Sequence, residues 1–114
     1  GTNDWSKSPS LEEFKSNCKG FYENLSRTYP DVPIFAISPI WRKAYLTEKP
    51  CGAFSNVHDY FVELAKTIPN MTVICGWDFV PHDSRYFCDG TLHPNDEGFA
   101  YYAEALYREI QKYL

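Results

Sequence analysis

Apolar residues recur at steps of three and four in three segments of the chain, which is the period of one face of an α-helix. The first segment carries Leu11, Phe14, Cys18, Phe21, Leu25 and Tyr29. The second carries Phe54, Val57, Phe61, Leu64 and Ile68. The third carries Phe99, Ala103, Leu106 and Ile110. The pattern therefore predicts three amphipathic helices, each with one face in the core.

Start and stop signals delimit these helices. Ser10 followed by Glu13 matches a capping box at the start of the first helix, and Pro30 ends that helix. Pro69 ends the second helix. Asn95 or Asp96 can cap the third, which runs from about Glu97 to the C-terminus.

Two runs between the helices predict strands, from Val32 to Pro39 and from Met71 to Trp77. Both runs are apolar at odd and even positions, as expected of strands buried on both faces. Strands separated by helices favour parallel pairing, and the order resembles the second half of a doubly wound α/β domain. Long polar loops follow each strand, at residues 40–52 and 78–95, and sites in such sheets form at the carboxyl ends of the strands.

Composition narrows the function classes. The chain has 114 residues, which fits one small domain or a piece of a larger one, and its net charge is −4. No segment clusters Lys and Arg, so a nucleic-acid binder is not expected. No apolar run is long enough for a membrane span. Aromatic residues reach 18%, a share that can fill a core or line a cleft.

Four cysteines occur, Cys18, Cys51, Cys75 and Cys88, with neither a C-x-x-C pair nor zinc spacing. We expect buried free thiols, which favours a reducing, cytoplasmic compartment. No metal or other cofactor is expected.

A loop before the third helix carries the most informative chemistry. Pro94 restricts His93 to an extended conformation just ahead of a helix N-terminus, whose positive end favours a neutral imidazole. Asp89 is close enough in sequence to fold back onto the ring. A carboxylate there fixes the tautomer of a histidine that acts as a general base.

The surrounding string, D-G-T-L-H-P-N-D-E-G-F, strongly resembles the last conserved block of the SGNH (GDSL-type) hydrolases. The opening G-T-N-D resembles another block of that family, and P-I-F-A-I-S-P-I looks like its fourth strand. The resemblance covers essentially the whole chain. It implies a flavodoxin-like three-layer α/β/α fold with a parallel sheet, of which residues 1–114 form the C-terminal portion of a single partial domain.

The resemblance also implies a serine ester hydrolase (an esterase, lipase or acylhydrolase) acting on small acyl esters or acetylated sugars. His93 takes the role of the base, Asp89 orients it, and the Asn3 side-chain amide donates to the oxyanion. Two blocks of the family, with the nucleophilic serine and the oxyanion-hole glycine, are absent. The serines of the chain lack the G-D-S context: Ser6, Ser8, Ser10, Ser16, Ser26, Ser38, Ser55 and Ser84. Three residues separate Asp89 from His93, where the family usually has two.

Aromatic and basic residues in the two long loops are further candidates for a binding site. Trp41, Arg42 and Tyr45 in the first loop, and His82 in the second, are candidates for substrate binding. A catalytically inactive ligand-binding module of the same fold is the main alternative. A metal site built from His82 and His93 is disfavoured by the lack of H-x-x-x-H spacing. The apolar edge of a two-stranded sheet predicts self-association or pairing with a separate N-terminal segment.

Overall fold

A computed structural model describes all residues from Gly1 to Leu114. The elements are α1 (Thr2–Lys7), α2 (Leu11–Thr28), β1 (Ile34–Ile37), α3 (Asn56–Ala65), β2 (Met71–Ile74), a 3-10 helix (Ser84–Tyr86) and α4 (Asp96–Gln111). The three predicted helices and both strands are confirmed, and the strands pair in parallel. The sequence did not predict α1, because six residues are too few to show a helical period.

The sheet consists of β1 and β2, paired from Ile34 beside Met71 to Ile37 beside Ile74. In β1, Ile34 and Ala36 are buried, whereas Phe35 and Ile37 are only half-buried. The prediction that this strand is buried on both faces is therefore wrong. A two-stranded sheet offers little width for packing, and its two faces are covered unequally.

Contacts divide the chain into two compact units, the first formed by residues 1–39 and 47–75. Its core contains the complete apolar face predicted for the second helix: Phe54, Val57, Phe61, Leu64 and Ile68. Trp5 of α1 is fully buried, and its ring meets Phe54 edge-on at 4.8 Å between centroids. The Trp5 indole N–H donates to the carbonyl oxygen of Gly52 at 3.0 Å. Trp5 is therefore a core residue that holds α1 to the segment before α3.

Helices α2 and α4 bury less than their patterns predict. Phe14 is the one fully buried residue of α2, while Phe21 is 62% and Tyr29 54% exposed. Phe99 at the start of α4 is 56% exposed, and Ala103 is also exposed. Periodicity identifies the apolar face of a helix, but it does not tell whether another element covers that face. For these residues the prediction of a core position is wrong.

The second unit comprises residues 40–46 and 76–114, with α4 packed against the 3-10 helix. Asn95 caps α4, because its side-chain oxygen accepts from the Gly98 amide at 3.0 Å. The Asn95 side-chain amide donates to the Arg85 carbonyl at 2.7 Å. Gly98 is buried so closely that a Cβ there would lie 2.3 Å from the carbonyl oxygen of Tyr86. A glycine is therefore needed where α4 passes the carbonyl group of Tyr86.

All four cysteines are free thiols. Cys51 is buried and Cys18 is half-buried, but Cys75 and Cys88 are exposed, so the prediction of buried thiols is wrong for these two. Cys75 lies one residue beyond the end of β2, where the chain has left the sheet. None of the helices is both long and apolar enough to cross a membrane.

Candidate active-site loop and aromatic cluster

Residues 89–93 form a loop closed by the side chain of Asp89. The carboxylate oxygen Oδ1 accepts hydrogen bonds from the backbone amides of Thr91 at 2.9 Å, Leu92 at 2.8 Å and His93 at 3.2 Å. Gly90 makes this turn possible with a φ of +72°, a left-handed conformation that side chains disfavour. The carboxylate therefore holds the loop that carries His93.

The same carboxylate contacts the imidazole ring. Asp89 Oδ2 lies 2.6 Å from Nδ1 of His93. An ionised carboxylate only accepts, so a hydrogen resides on Nδ1, and in the neutral form of the imidazole Nε2 then carries the lone pair. The His93 side chain is 69% exposed, so this lone pair is accessible to a reacting group. Three intervening residues are thus compatible with the contact between Asp89 and His93, and this geometry suits a general base.

Hydrogen bonds hold the pKa of Asp89 well below its ordinary value. The largest contributions come from the amides of Leu92 and Thr91, and the ring of His93 adds a further one. Donors aimed at a carboxylate stabilise its charged form. Asp89 therefore stays ionised at neutral pH and remains a hydrogen-bond acceptor for the ring.

Neighbouring segments fix this loop in the second unit. Phe87 and Pro94 form an antiparallel bridge, and the Cys88 amide donates to the His93 carbonyl at 2.8 Å. The Lys43 amide donates to the Thr91 carbonyl at 3.0 Å, which ties the loop to residues 40–46. His93 is thus presented from a braced turn two residues ahead of the cap of α4.

The predicted oxyanion residue belongs to the first unit. Asn3 lies in the first turn of α1 and is exposed. Gly1 before it is packed tightly, since a Cβ there would lie 3.0 Å from Cγ1 of Val57 and 3.2 Å from Cγ of Pro39. A larger residue at this position would require its neighbours to move. This close packing explains why the first residue of G-T-N-D is a glycine.

Three of the predicted substrate-binding residues meet in the second unit. We call Trp41, Tyr45, Trp77, His82 and Phe87 the aromatic cluster. Trp41 stacks on His82 at 5.7 Å between centroids and 11° between planes, and Trp41 meets Phe87 at 5.4 Å. Trp77 contacts His82 at 4.9 Å and Tyr45 at 5.2 Å, both edge-on. Sequence reasoning did not assign Trp77 or Phe87 to a site, because an aromatic residue at a strand end or in a loop is more often core.

Arg42, the fourth predicted binding residue, is half-buried, and its carbonyl accepts from the Tyr45 amide at 3.1 Å in the turn that presents Tyr45. His58 is half-buried on α3, where its Nδ1 lies 2.9 Å from the hydroxyl oxygen of the buried Ser38. This contact gives His58 a structural role. No three His, Cys, Asp or Glu side chains are grouped as a metal ion would require.

Two solved structures resemble the chain in fold. A candidate GDSL-like lipase from Bacteroides ovatus matches with a TM-score of 0.71 and 25% identity, over 93% of this chain and 33% of the other. The salicylyl-acyltransferase of a tetracycline biosynthetic pathway matches with a TM-score of 0.66 and 18% identity, over 90% of this chain and 32% of the other. This chain therefore spans about a third of the length of each. No protein-family model and no curated protein matches the sequence.

The comparisons support a fold like that of a GDSL-like lipase. One of the two similar structures is a candidate lipase and the other is an acyltransferase. The fold class is therefore α/β with a parallel sheet, as the sequence predicts.

Proposed function

We propose that the chain forms the histidine-bearing part of an SGNH-type serine ester hydrolase, with the nucleophilic serine outside these 114 residues. The contact of 2.6 Å between Asp89 and His93, within a loop that resembles the family's last block, carries the proposal. Similarity to a GDSL-like lipase supports it. The proposal includes the flavodoxin-like three-layer arrangement and a single partial domain.

His93 would act through Nε2, since Nδ1 is engaged by Asp89. Nε2 takes the proton of a serine hydroxyl as its oxygen attacks the ester carbonyl. The tetrahedral intermediate collapses, the bond to the alkoxy oxygen breaks, and the imidazolium returns the proton to the leaving alcohol. A water molecule then repeats the cycle on the acyl-enzyme, releasing the carboxylic acid and the free serine.

Asp89 would act as a positioning residue, because it touches the ring of the base and not the ester. Its ionised carboxylate fixes the tautomer and stabilises the imidazolium that forms during the reaction. The side-chain amide of Asn3 would donate to the oxyanion, a contribution of about 3 kcal/mol at comparable sites. Small acyl esters are the proposed substrates.

The test begins with the coding sequence upstream of Gly1, where we expect a predicted strand followed by G-D-S. The extended protein should then hydrolyse p-nitrophenyl acetate and be labelled by a fluorophosphonate at that serine. His93→Ala should lower kcat at least about a thousandfold, as expected for loss of a triad base. His58→Gln serves as the matched control, since His58 is engaged in the fold of the first unit, and it should keep activity.

Two outcomes contradict the proposal. One is an upstream sequence that contains no serine block. The other is an active extended protein whose fluorophosphonate labelling and turnover are unchanged by His93→Ala.

A further inference from the structure

Building on the proposed function, we propose that the aromatic cluster binds the ring-bearing part of the substrate, a six-membered ring with a hydroxyl group at its edge. Four of its five rings lie partly open to solvent: Trp41, Tyr45, Trp77 and His82. Phe87 is buried beneath them at 4% exposure. An open aromatic surface of this kind suits the face of a second ring better than a flexible acyl chain.

The packing within the cluster fixes the orientation of the open rings. Trp41 lies nearly parallel to His82, whereas Trp77 meets both His82 and Tyr45 edge-on. Each ring is thus restrained by at least one other, so little side-chain entropy is lost when a ligand stacks on them. The cluster is therefore a preformed surface.

His82 gives the cluster a directed hydrogen-bond acceptor. Its Nε2 lies 2.9 Å from the Trp77 carbonyl oxygen and 3.1 Å from Oδ1 of Asp78. Both partners accept, so a hydrogen resides on Nε2, and in the neutral form of the ring Nδ1 carries a lone pair. That lone pair can accept a hydrogen bond from a hydroxyl group, and a ring without a hydroxyl leaves it unused. The ligand class is therefore a hydroxylated ring, either a pyranose or a phenol.

The cluster is attached to the loop that carries His93. Phe87 contacts Trp41 at 5.4 Å and forms the bridge with Pro94, the residue after His93. The Lys43 amide, two residues from Trp41, donates to the Thr91 carbonyl of the same loop. Both connections run within the second unit. A ring bound at the cluster is thus held by the same framework that positions the proposed base.

Binding can be measured on the chain as it stands, because it needs no nucleophile. Methyl β-D-glucopyranoside and 4-methylphenol are titrated into labelled protein, and the indole N–H signals of Trp41 and Trp77 are followed by NMR. The matched probe without a hydroxyl hydrogen is 4-methylanisole. We expect saturable shifts of these two indole signals with at least one hydroxylated probe. Binding of the glucoside identifies the ligand ring as a sugar, and binding of 4-methylphenol identifies it as a phenol.

Variants separate stacking from the hydrogen bond. Trp41→Ala should weaken binding about tenfold, the size expected for loss of one aromatic contact. His82→Phe keeps a ring but removes Nδ1, so it should weaken the hydroxylated probe about tenfold and leave 4-methylanisole unchanged. Tyr107→Ala, on the exposed surface of α4, is the control and should bind as the unaltered chain does.

The outcomes distinguish this proposal from the one on which it rests. Saturable binding that His82→Phe weakens and His93→Ala preserves supports it, whether or not an extended protein hydrolyses esters. Unchanged indole signals with both hydroxylated probes overturn it, even where His93-dependent hydrolysis is found. Equal weakening by Tyr107→Ala and His82→Phe also overturns it.

Discussion

Asp89 combines two tasks that proteins often divide between residues. One carboxylate oxygen holds the backbone of the loop and the other holds the imidazole ring. The sequence predicted the partner of His93, because the surrounding string resembles a known block and the two residues are near in sequence. It did not predict how three intervening residues are accommodated. That depends on the left-handed conformation of Gly90, and the residue type permits such a conformation without requiring it.

The lowered pKa of Asp89 predicts a pH-dependent contribution to stability. The folded-state pKa lies below the ordinary value of 3.8, so this contribution is fully present above that value and is lost as pH falls below it. Asp89→Asn should therefore destabilise the chain at pH 7 and make a smaller difference near pH 3. Urea unfolding of both proteins at the two pH values measures this, and an equal difference at both would contradict the prediction.

The four thiols should react at different rates. Burial raises the pKa of the Cys18 thiol to about 11, so at pH 8 only about one such thiol in a thousand is ionised. Burial also raises the pKa of Cys51. Cys75 and Cys88 are exposed. A chromogenic disulfide reagent at pH 8 should label two thiols rapidly and two slowly, and the double variant with Cys75→Ser and Cys88→Ser should lose the rapid phase. Rapid labelling that survives in the double variant would show that Cys18 or Cys51 is accessible to the reagent.

The starts of the helices could be predicted from their capping residues. The burial of their apolar faces could not, because it depends on other elements of the fold. Ser10 accepts from the Glu13 amide at 3.1 Å and starts α2 as predicted. Asn95 starts α4 in the same manner. The apolar face of α3 is fully buried, but Phe21 of α2 and Phe99 of α4 are exposed. A local pattern encodes an amphipathic helix, whereas burial of its face requires tertiary contacts.

Two glycines in helices should respond oppositely to alanine. Gly98→Ala places a Cβ 2.3 Å from the Tyr86 carbonyl, so we expect a loss of about 1–3 kcal/mol in the free energy of unfolding, the usual cost of overpacking. Gly20→Ala in α2 meets no atom within 4 Å, so it should stabilise by about 0.5–1 kcal/mol through helix propensity. Chemical denaturation of the pair gives both values. A Gly98→Ala protein as stable as the original would show that α4 does not pack against Tyr86 as described.

For the chain taken together, the sequence predicted the α/β class, the parallel pairing and the resemblance to GDSL-like enzymes. It did not predict how much apolar surface would remain uncovered. Large hydrophobic side chains are exposed in both units, among them Phe21, Val32, Leu46, Phe99 and Tyr107. A sheet of two strands buries fewer side chains than a sheet of about five or six. The hydrophobic pattern identifies apolar side chains, but it does not identify the elements that would bury them.

This uncovered surface predicts self-association. Exposed aromatic and aliphatic groups lose contact with water when two copies meet. Sedimentation velocity should show a weight-average mass that rises with protein concentration. Phe21→Lys and Phe99→Lys should each lower that mass, because each replaces an exposed aromatic side chain with a charged one. A constant monomer mass over a hundredfold range of concentration would contradict the prediction.

The loop from Asp89 to His93 also bears on how the proposed acid–base pair arises during folding and in evolution. Its carboxylate and imidazole meet across four residues of chain. Closing so short a segment loses little configurational entropy and takes tens of nanoseconds, far less time than bringing β1 to β2. The pair can therefore assemble before the sheet does. For the same reason, one short stretch of gene encodes both partners of the pair.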